Sequence, residues 1–404
     1  MANKIILCQT GARHRYLIPK VLEDGGLLYR LYTDSTAYSI LGKIASFVSK
    51  HWKCPLVIQR ISKRIPPIPK EKIYSTDVLF FKEQILKLCK GDSLKLRYTH
   101  YNGFEKKCIS WGIGEADCVY SMYIENFEFL KFAKVQGLKV VVDIYETPMT
   151  YKYLIKEIEA HDEYAFLGYM KAAFSYSHEV RMHYMEDLLA LADYYTIPSR
   201  FVIKSMSAFH NFDESKVWYL PYASSITVEE YCYTPKKHRL IWVGNDPVRK
   251  GLLYCAKAAD ILREKYPDLD FRVIGDVDEQ IKNAECFKSL HFLGVLNKAQ
   301  LQEEYRSAEA YVFPTLFEGF AGTVIEAASC GCPIITTECA GTDIEEFPAI
   351  YIPTMDVDTI VTSATKIFED SKLRDKLSHD VYEYSSKLKP ETYAENLLSY
   401  LKTI

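Results

Sequence analysis

Short apolar runs separated by helix-length segments recur along this chain, and this alternation constrains its fold more than any other feature. In the first half the runs lie at 5–8, 27–32, 118–122, 140–144, 194–197 and 217–220. Runs of this length without polar alternation are typical of strands buried on both faces of a parallel sheet. A segment with helical spacing at 126–136 ends at Gly137, a typical helix terminator. Strands that alternate with helices predict an α/β fold.

The same pattern restarts in the second half, with apolar runs at 240–243, 271–274, 291–293, 311–313 and 333–336. A chain of 404 residues is long enough for two cores. We therefore predict two doubly wound Rossmann-like domains that face each other across a cleft, over residues 1–220 and 239–385. Residues 221–238 contain two prolines and no sustained apolar period, so we expect the interdomain hinge there.

The final segment, 386–404, places Tyr393, Leu397 and Leu401 at helical spacing, which predicts an amphipathic helix. An amphipathic helix must pack its apolar face on another part of the protein. One interpretation is an ordinary terminal helix, and the other is a helix that crosses back to brace the first domain. The sequence leaves both interpretations open.

The charge balance and the cysteine usage exclude several classes of protein. The chain has 50 basic and 53 acidic residues and a formal charge of −3, which does not suit a general polyanion binder, so we predict no nucleic-acid partner. Its 11 cysteines show no C-x-x-C spacing, which favours a reducing cytoplasm. No hydrophobic signal core and no membrane-spanning window is found in the sequence, so we expect a cytoplasmic location.

The segment 311–337 carries the strongest functional signal. Its sequence, YVFPTLFEGFAGTVIEAASCGCPIITT, predicts a buried strand, a glycine-containing loop, a short helix and a second strand. Glu318 in the loop can accept hydrogen bonds from sugar hydroxyls, and Glu326 near the helix start can bind ribose hydroxyls. Gly322 and Thr323 offer N–H groups to a diphosphate. Two acids at this spacing also occur by chance as an exposed, solvated pair. The residues around them therefore decide between a ligand site and an ordinary surface pair.

A second signal is the segment 243–251, VGNDPVRKG, which predicts a strand end, a tight turn and a helix start. Arg249 and Lys250 are candidates to neutralise the charge that develops on a leaving diphosphate in a water-poor cleft. The alternative is a solvated basic N-terminus on an ordinary helix.

The segment 311–337 resembles the donor-binding motif of GT-B glycosyltransferases of the retaining family 4, where E-G-F-G precedes E-A-M-A-x-G-x-P. The matching residues are Glu318, Gly319, Phe320, Glu326, Ala327, Gly331 and Pro333. Ala321 replaces the commoner glycine, and Gly322 follows it. The resemblance implies that Glu318 faces the donor sugar and that Glu326 binds the nucleotide ribose.

The resemblance extends to the segment 243–251, where family members have a basic residue after the strand's glycine and then a Lys-Gly pair. Lys250 and Gly251 match the pair, whereas Asn245 occupies the basic position, so Arg249 is the candidate for the replaced charge. In the family, backbone near a Phe-Leu-Gly segment holds the base, which implies a base slot at 293–296. The implied donor contacts are Gly11, Gly244, Asn245, Leu293, Val295, Phe320, Ala321, Gly322, Thr323 and Glu326.

The resemblance implies an enzyme that transfers a sugar from a nucleotide-diphosphate donor to a hydroxyl of a glycan, polysaccharide or lipid-linked acceptor, with retention at the anomeric carbon. Lys250, Arg249 and Glu318 would then be catalytic. We predict no metal and no cofactor beyond the co-substrate donor. The alternatives are a nucleotide-sugar epimerase or phosphorylase on the same fold, or a non-catalytic nucleotide-sugar binder.

The first domain offers weaker signals. A turn at Gly11 precedes Arg13, His14 and Arg15, and it either faces the donor phosphates or simply joins a strand to a helix. In the segment 140–148, VVVDIYETP, relatives place a histidine in the cleft, and the nearest residues here are Asp143, Tyr145 and Glu146. We take His14, Tyr145 and Glu146 as candidates for the acceptor side.

Two metal-like motifs fail on geometry. His178 and His183 are one residue too far apart to share a helix face as a zinc pair. Asp276 and Asp278 form a D-x-D, but they follow Gly275 in a repeated α/β pattern that does not belong to the metal-dependent glycosyltransferase fold.

The segment 43–64 is basic and contains no acid, with Ile44, Phe47 and Trp52 at roughly helical spacing. Such a face suits contact with an anionic membrane, which would favour a lipid-linked acceptor. The alternative is a helix docked on its own domain.

Overall fold

The chain forms two parallel sheets in this computed structural model, which describes residues 3–52, 54–90, 94–122, 126–226, 228 and 230–404. In the described residues the first sheet has seven strands in the order β3-β2-β1-β4-β5-β6-β7. These strands are β1 (Ile5–Cys8), β2 (Leu28–Thr33), β3 (Ile73–Ser75), β4 (Cys118–Met122), β5 (Lys139–Asp143), β6 (Tyr194–Ile197) and β7 (Val217–Tyr219).

The second sheet has six strands within the described ranges, in the order β10-β9-β8-β11-β12-β13. They are β8 (Arg239–Val243), β9 (Asp270–Ile274), β10 (His291–Gly294), β11 (Ala310–Phe313), β12 (Ile334–Thr336) and β13 (Ile350–Tyr351). Since every pairing in both sheets is parallel, the carboxyl ends of the strands in each sheet lie along one edge.

Helices cover both faces of each sheet, as parallel strands joined by crossovers require. The first domain contains α1 (Leu17–Asp24), α2 (Ile40–His51), α3 (Leu56–Ser62), α4 (Asp77–Lys90), α5 (Leu94–Trp111), α6 (Phe127–Val135), α7 (Met149–Ala160), α8 (Lys171–Leu191) and α9 (Arg200–Met206). The second domain contains α10 (Leu252–Lys265), α11 (Glu279–Lys282), α12 (Lys298–Ser307), α13 (Gly322–Ser329), α14 (Val357–Glu369) and α15 (Ser371–Ser385), and the chain ends with α16 (Pro390–Leu401). The predicted pair of doubly wound α/β domains is confirmed. No helix in the described ranges combines the length and the apolar character needed to cross a bilayer.

The strand orders locate the ligand-binding edge of each domain. The order reverses between β1 and β4 in the first sheet and between β8 and β11 in the second. In open α/β sheets, ligands bind outside the carboxyl ends of strands at such switch points. The loops after β1, β8 and β11 are therefore the places where a site is expected.

Helix α7 and the turn at 162–170 belong to the first domain in sequence but pack on the second. Leu154, Ile158 and Tyr164 lie in the second domain's hydrophobic core. The hydroxyl of Tyr254 on α10 donates to the buried Glu157 Oε2 at 3.0 Å. The crossover between β5 and β6 thus bridges the domains, which periodicity could not reveal.

The C-terminal helix α16 lies against the first domain rather than the second. Tyr393, Leu397 and Leu401 are buried in a first-domain core cluster. Tyr400 stacks on Trp218 of β7, with ring centroids 5.1 Å apart and an interplanar angle of 6°. The chain therefore passes between the domains at the segment 221–238 and again before α16.

Replacing Leu397 by Ala should destabilise the first domain. Leu397 is fully buried, and removing its side chain loses apolar burial and leaves a cavity, which typically costs about 2–5 kcal/mol. The measurement is denaturant unfolding followed by first-domain tryptophan fluorescence. Glu395→Ala, on the exposed face of the same helix, is the control and should change the stability by less than about 0.5 kcal/mol. Equal effects of the two changes would contradict this role of α16.

Candidate active site

The loop between β11 and α13 lies where the two domains come closest. A Cβ built on Gly319 would overlap the carbonyl oxygen of Tyr145 in the first domain, so only glycine fits at this position. The hydroxyl of Ser199 donates to the carbonyl of Gly319 at 2.6 Å and also accepts from the amide of Val202, which caps α9. The first domain therefore holds the backbone of this loop directly.

Glu318, one residue earlier, faces two cations from the loop after β8. Its Oε2 lies 2.8 Å from Arg249 Nη1, and its Oε1 lies 3.5 Å from Lys250 Nζ. The three side chains are 12 to 21% exposed. Oε1 is buried and has no hydrogen-bond partner among the described residues. Oε2 is thus engaged by Arg249, whereas Oε1 is left with the longer contact to Lys250.

Arg249 and Lys250 both reach Glu318 because they precede α10 instead of lying in it. Residues 246–251 form a turn in which the Lys250 amide donates to the carbonyl of Asp246 at 3.0 Å. Arg249 also pairs with Asp246 and donates to the carbonyl of Phe317 at 2.9 Å. Burial opposes the charge of Arg249, but Glu318 and Asp246 outweigh it and raise its pKa.

Gly244 and Asn245 shape the loop rather than supply charge. A Cβ at Gly244 would lie 2.5 Å from the Cδ of Lys250, so glycine leaves room for the lysine side chain. The side-chain oxygen of Asn245 accepts from the Asp276 amide at 2.9 Å. This bond ties the end of β8 to the end of β9, and Arg249 brings a guanidinium to the site from another position in the loop.

Glu326 lies on α13, half-buried, and accepts a hydrogen bond from Ser225 of the interdomain segment. Burial raises the pKa of Glu326, and the charges of Arg15 and Lys250 partly oppose this shift. Arg15 belongs to the first domain and Lys250 to the second. Glu326 therefore lies within the electrostatic reach of both sides of the cleft.

The other predicted donor contacts line the same edge of the second sheet. Gly322 is exposed at the start of α13, and the hydroxyls of Thr323 and Tyr311 are 2.9 Å apart. Val295, just after β10, is 75% exposed, and Leu293 is partly buried. Ala321 is buried, and its amide already donates to the Ala340 carbonyl at 2.9 Å.

Phe320 inserts between the domains. Its partly buried ring packs on a first-domain core cluster and lies 5.8 Å from the ring of Tyr222. The resemblance implied that Phe320 belongs to the donor site, and the structure gives it an interdomain contact as well.

The loop after β1 faces this edge from the first domain. The Gly11 amide donates to Asp34 Oδ1 at 2.9 Å. The loop was predicted to face the donor phosphates, but this N–H is already engaged within the first domain. His14, Arg15 and Tyr16 have φ values of 46, 52 and 63°, a run of left-handed residues that non-glycine side chains rarely adopt. Such strain is typically found at functional sites.

The acceptor-side candidates are partly engaged within the protein. His14 lies 4.0 Å from the ring of Tyr222, and the guanidinium of Arg13 lies 3.8 Å from the ring centre of Tyr145. Glu146 forms an ion pair with Arg181 at 3.0 Å. The structure brings His14 and Tyr145 to the cleft near Phe320 and Gly319.

Two cavities flank α7. One, of about 640 Å³, is lined by residues of both domains, among them Glu146, Thr150, Asn245, Arg249 and Asp276. The other, of about 800 Å³, has a more apolar wall that includes Tyr153, Phe201, Phe317, Ile344 and Met355. Arg249 and Glu146 both line the smaller cavity, so this cavity lies next to the charged cluster of Glu318, Arg249 and Lys250.

Asp143 is a buried acid of the first domain to which the sequence analysis gave no role. It ends β5, and the hydroxyl of Tyr222 donates to its Oδ1 at 2.9 Å. Burial raises the pKa of Asp143 to about 6, although the Tyr222 hydrogen bond and the charge of Arg13 oppose the shift. The sequence signal that could have identified Asp143 is an acidic residue at the end of an apolar strand, where the strand reaches the ligand-binding edge of the sheet.

The next motif is the histidine pair His178 and His183, which we predicted not to bind a metal ion. Nδ1 of His178 donates to the carbonyl oxygen of Pro148 at 3.0 Å. No group of three or more histidine, cysteine or acidic side chains suited to a metal ion occurs in the part of the chain that the structure describes. The absence of a metal stays a prediction.

Residues 237–370 match the family model for Glycosyl transferases group 1. This range includes Arg249, Lys250, Glu318 and Glu326 and most of the second domain. The match covers most of the second domain and about a third of the chain.

Relatives with assigned names match parts of the chain. The 2-deoxystreptamine N-acetyl-D-glucosaminyltransferase of Niallia circulans is 30% identical over 173 residues, which cover 40% of this chain and 44% of the relative. The D-inositol 3-phosphate glycosyltransferase of Pseudarthrobacter chlorophenolicus is 27% identical over 117 residues, or 26% of this chain and 28% of that protein. The chain spans less than half the length of these curated relatives.

Solved structures match the whole chain. Sucrose-phosphate synthase from Thermosynechococcus elongatus has a TM-score of 0.66 at 16% identity, over 99% of this chain and 98% of that chain. HepE from Anabaena, in complex with UDP and glucose, has a TM-score of 0.62 at 11% identity, over 100% of both chains. At such identities the similarity shows the fold, which is the GT-B arrangement of two Rossmann-like domains.

Replacing Asp143 by Asn should remove a pH-dependent loss of stability. The folded-state pKa of about 6 exceeds the value of about 3.9 in an unfolded chain. The stabilisation is therefore fully present below about pH 3.9 and is lost as the pH rises through 6, by about 3 kcal/mol at most. The measurement is the difference in unfolding midpoint between wild type and Asp143→Asn from pH 4 to 7.5. A constant difference would show that Asp143 does not titrate in this window.

Proposed function

We propose that this protein is a retaining, metal-independent glycosyltransferase of family 4 that moves a sugar from a nucleotide-diphosphate donor to a hydroxyl acceptor. The observation that supports this most is the cluster of Glu318, Arg249 and Lys250 at the switch point of the second domain, directly under the first domain. The Glycosyl transferases group 1 match of the second domain supports the same activity. A structural neighbour that binds UDP and glucose supports the donor class.

The charges of the cluster suit the departure of a nucleoside diphosphate. As the bond to the anomeric carbon breaks, negative charge grows on the leaving oxygen, and fixed cations stabilise that transition state more than the ground state. Arg249 is already bound to Glu318, Asp246 and the Phe317 carbonyl, whereas Lys250 has only the longer contact of 3.5 Å with Glu318 among its ion pairs in the described residues. In this proposal Lys250 contacts the diphosphate, and Arg249 keeps Glu318 in place.

The two acids would bind the two sugars of the donor. The unpartnered Oε1 of Glu318 is placed to accept a hydrogen bond from a donor-sugar hydroxyl. Glu326, on α13, would accept hydrogen bonds from the ribose hydroxyls, and the amide of Thr323 would donate to the phosphates. The Gly322 amide already donates to the Phe320 carbonyl at 3.0 Å and would have to be released to do the same. Backbone groups of Leu293 and Val295 would hold the base.

Retention follows in this proposal from the way the donor is held. With the diphosphate fixed at Lys250, its leaving oxygen can accept the acceptor's proton on the same face of the sugar, so no protein nucleophile is required. Glu146 and Tyr145 border the space beside Arg249 and Gly319 and are candidates for orienting the acceptor hydroxyl.

The segment 43–64 supports a lipid-linked acceptor. Ala45 of α2 and Ile61 of α3 form a small core with Phe80, so these helices are docked on their own domain. Ile44 and Phe47 remain 54 and 56% exposed on α2. The segment is therefore docked on its own domain on one side. On the other side it exposes an apolar and basic face that suits contact with an anionic bilayer.

Glu318→Gln and Lys250→Ala should each lower kcat/KM by about 100-fold or more and leave the fold intact, because they remove transition-state contacts. The assay measures free nucleoside diphosphate from a panel of nucleotide sugars, with and without saccharide and lipid-linked acceptors. Lys265→Ala is the control, since Lys265 forms an exposed ion pair with Glu369, and its activity should stay within about twofold.

Unchanged turnover in both site variants would refute the assignment of the cluster. Donor epimerisation without an acceptor would favour an epimerase, and release of a sugar 1-phosphate would favour a phosphorylase. Donor binding without any product would leave a nucleotide-sugar binder.

Sedimentation with vesicles tests the membrane contact. The protein should pellet with vesicles that contain anionic lipid and stay in solution with neutral ones, because the face is basic. Replacing Phe47 by Ser should weaken the binding several-fold by removing buried apolar area, while Val135→Ser, at a residue 81% exposed on α6, should not. Equal binding to both vesicle types, or none to either, would contradict the contact.

A further inference from the structure

Tyr222 lies where several chain segments meet. It follows β7 at the start of the interdomain segment and is 8% exposed. Its hydroxyl donates to Asp143 at the end of β5. Tyr393, from α16, packs 6.2 Å from its ring. One side chain thus joins the first sheet, the interdomain segment and the C-terminal helix.

The ring of Tyr222 also reaches both loops of the candidate site. On one side it contacts His14, in the strained loop after β1, at 4.0 Å between ring centres. On another side its ring centre lies 5.8 Å from that of Phe320, with an interplanar angle of 82°. Perpendicular ring pairs at this distance are favourable, by about 0.5–1.5 kcal/mol beyond the apolar area that they bury.

Phe320 is two residues beyond Glu318 in the loop between β11 and α13, whose backbone is bound by both domains. The Gly319 carbonyl is bound by Ser199, and the amides of Glu318 and Ala321 donate to the carbonyls of Cys339 and Ala340 at 2.9 Å. The side chain of Phe320 is held from the first domain through Tyr222. Movement of Tyr222 would therefore shift the loop that carries Glu318.

We propose that Tyr222, anchored by Asp143, is a positioning residue that seats Phe320 and so aligns Glu318 with the donor sugar. Tyr222 acts through Phe320 and contacts no reacting atom. This role rests on the proposed function, since it is Glu318 whose alignment matters for sugar transfer. An error of about 1 Å in such an alignment can reduce turnover about 100-fold.

The test variant is Tyr222→Phe, which keeps the ring and removes only the bond to Asp143. We expect kcat to fall by about tenfold or more, while the Kd of the nucleoside diphosphate product, measured by calorimetry, stays within about twofold. The matched control is Tyr195→Phe, which removes another buried tyrosine hydroxyl, one that donates to the Leu189 carbonyl at 3.0 Å within the first domain. Its kcat should stay within about twofold of wild type.

A double-mutant cycle tests the anchor. If Tyr222 acts through Asp143, the variant that combines Tyr222→Phe with Asp143→Asn should be no slower than the slower single variant. Fully additive effects on kcat would overturn the link to Asp143. A Tyr222→Phe enzyme with the kcat of the Tyr195→Phe control would overturn the positioning role itself.

Hydrogen exchange gives a readout that does not depend on catalysis. The amides of residues 316–322 should exchange faster in Tyr222→Phe and unchanged in Tyr195→Phe. Unchanged exchange in both variants would overturn the seating of the loop. If wild type transfers no sugar from any donor while the exchange differs as expected, the proposed function fails and the seating by Tyr222 stands.

Discussion

The close contact between the backbone of Gly319 and the first domain determines how the rest of the site is arranged. A side chain at this position would overlap the Tyr145 carbonyl, and the Gly319 carbonyl is bound by Ser199 at the start of α9. The loop that carries Glu318 is therefore built by one domain and held by the other. A change in the distance between the domains must move this acid, which couples the geometry of the site to the closure of the cleft.

Arg249 and Lys250 lie beside this loop and both contact Glu318, but they differ in how firmly they are held. Arg249 is bound on three sides, so its guanidinium is fixed before any ligand arrives. Lys250 has fewer charged contacts, since its Nζ lies 3.5 Å from Glu318 Oε1 and 5.1 Å from the ring centre of Phe313. Groups that are preorganised in this way do not need to reorient when charge develops, which is the main electrostatic advantage of an enclosed site. The arginine and the lysine thus suit different tasks.

The domains are linked by more than the segment 221–238. Helix α7 contributes Leu154 and Ile158 to the core of the second domain, and α16 returns from the second domain to the core of the first. A rigid-body motion must therefore deform either these contacts or the short segments that flank them. Buried packing of this kind tends to have discrete arrangements rather than a continuous range, so we expect few stable degrees of closure.

The sequence by itself determined the two α/β domains, because uninterrupted apolar runs at regular spacing leave parallel strands as the only way to bury them. It also predicted Glu318, Glu326 and Lys250 as site residues, since a loop after a buried strand opens at the ligand edge of its sheet. The tertiary structure alone decided that Arg249 and Lys250 reach the same acid, because a turn replaces the helix there. It alone placed α7 on the second domain and joined Asp143, Tyr222 and Phe320, since residues far apart in the chain meet only through packing, which local periodicity does not encode.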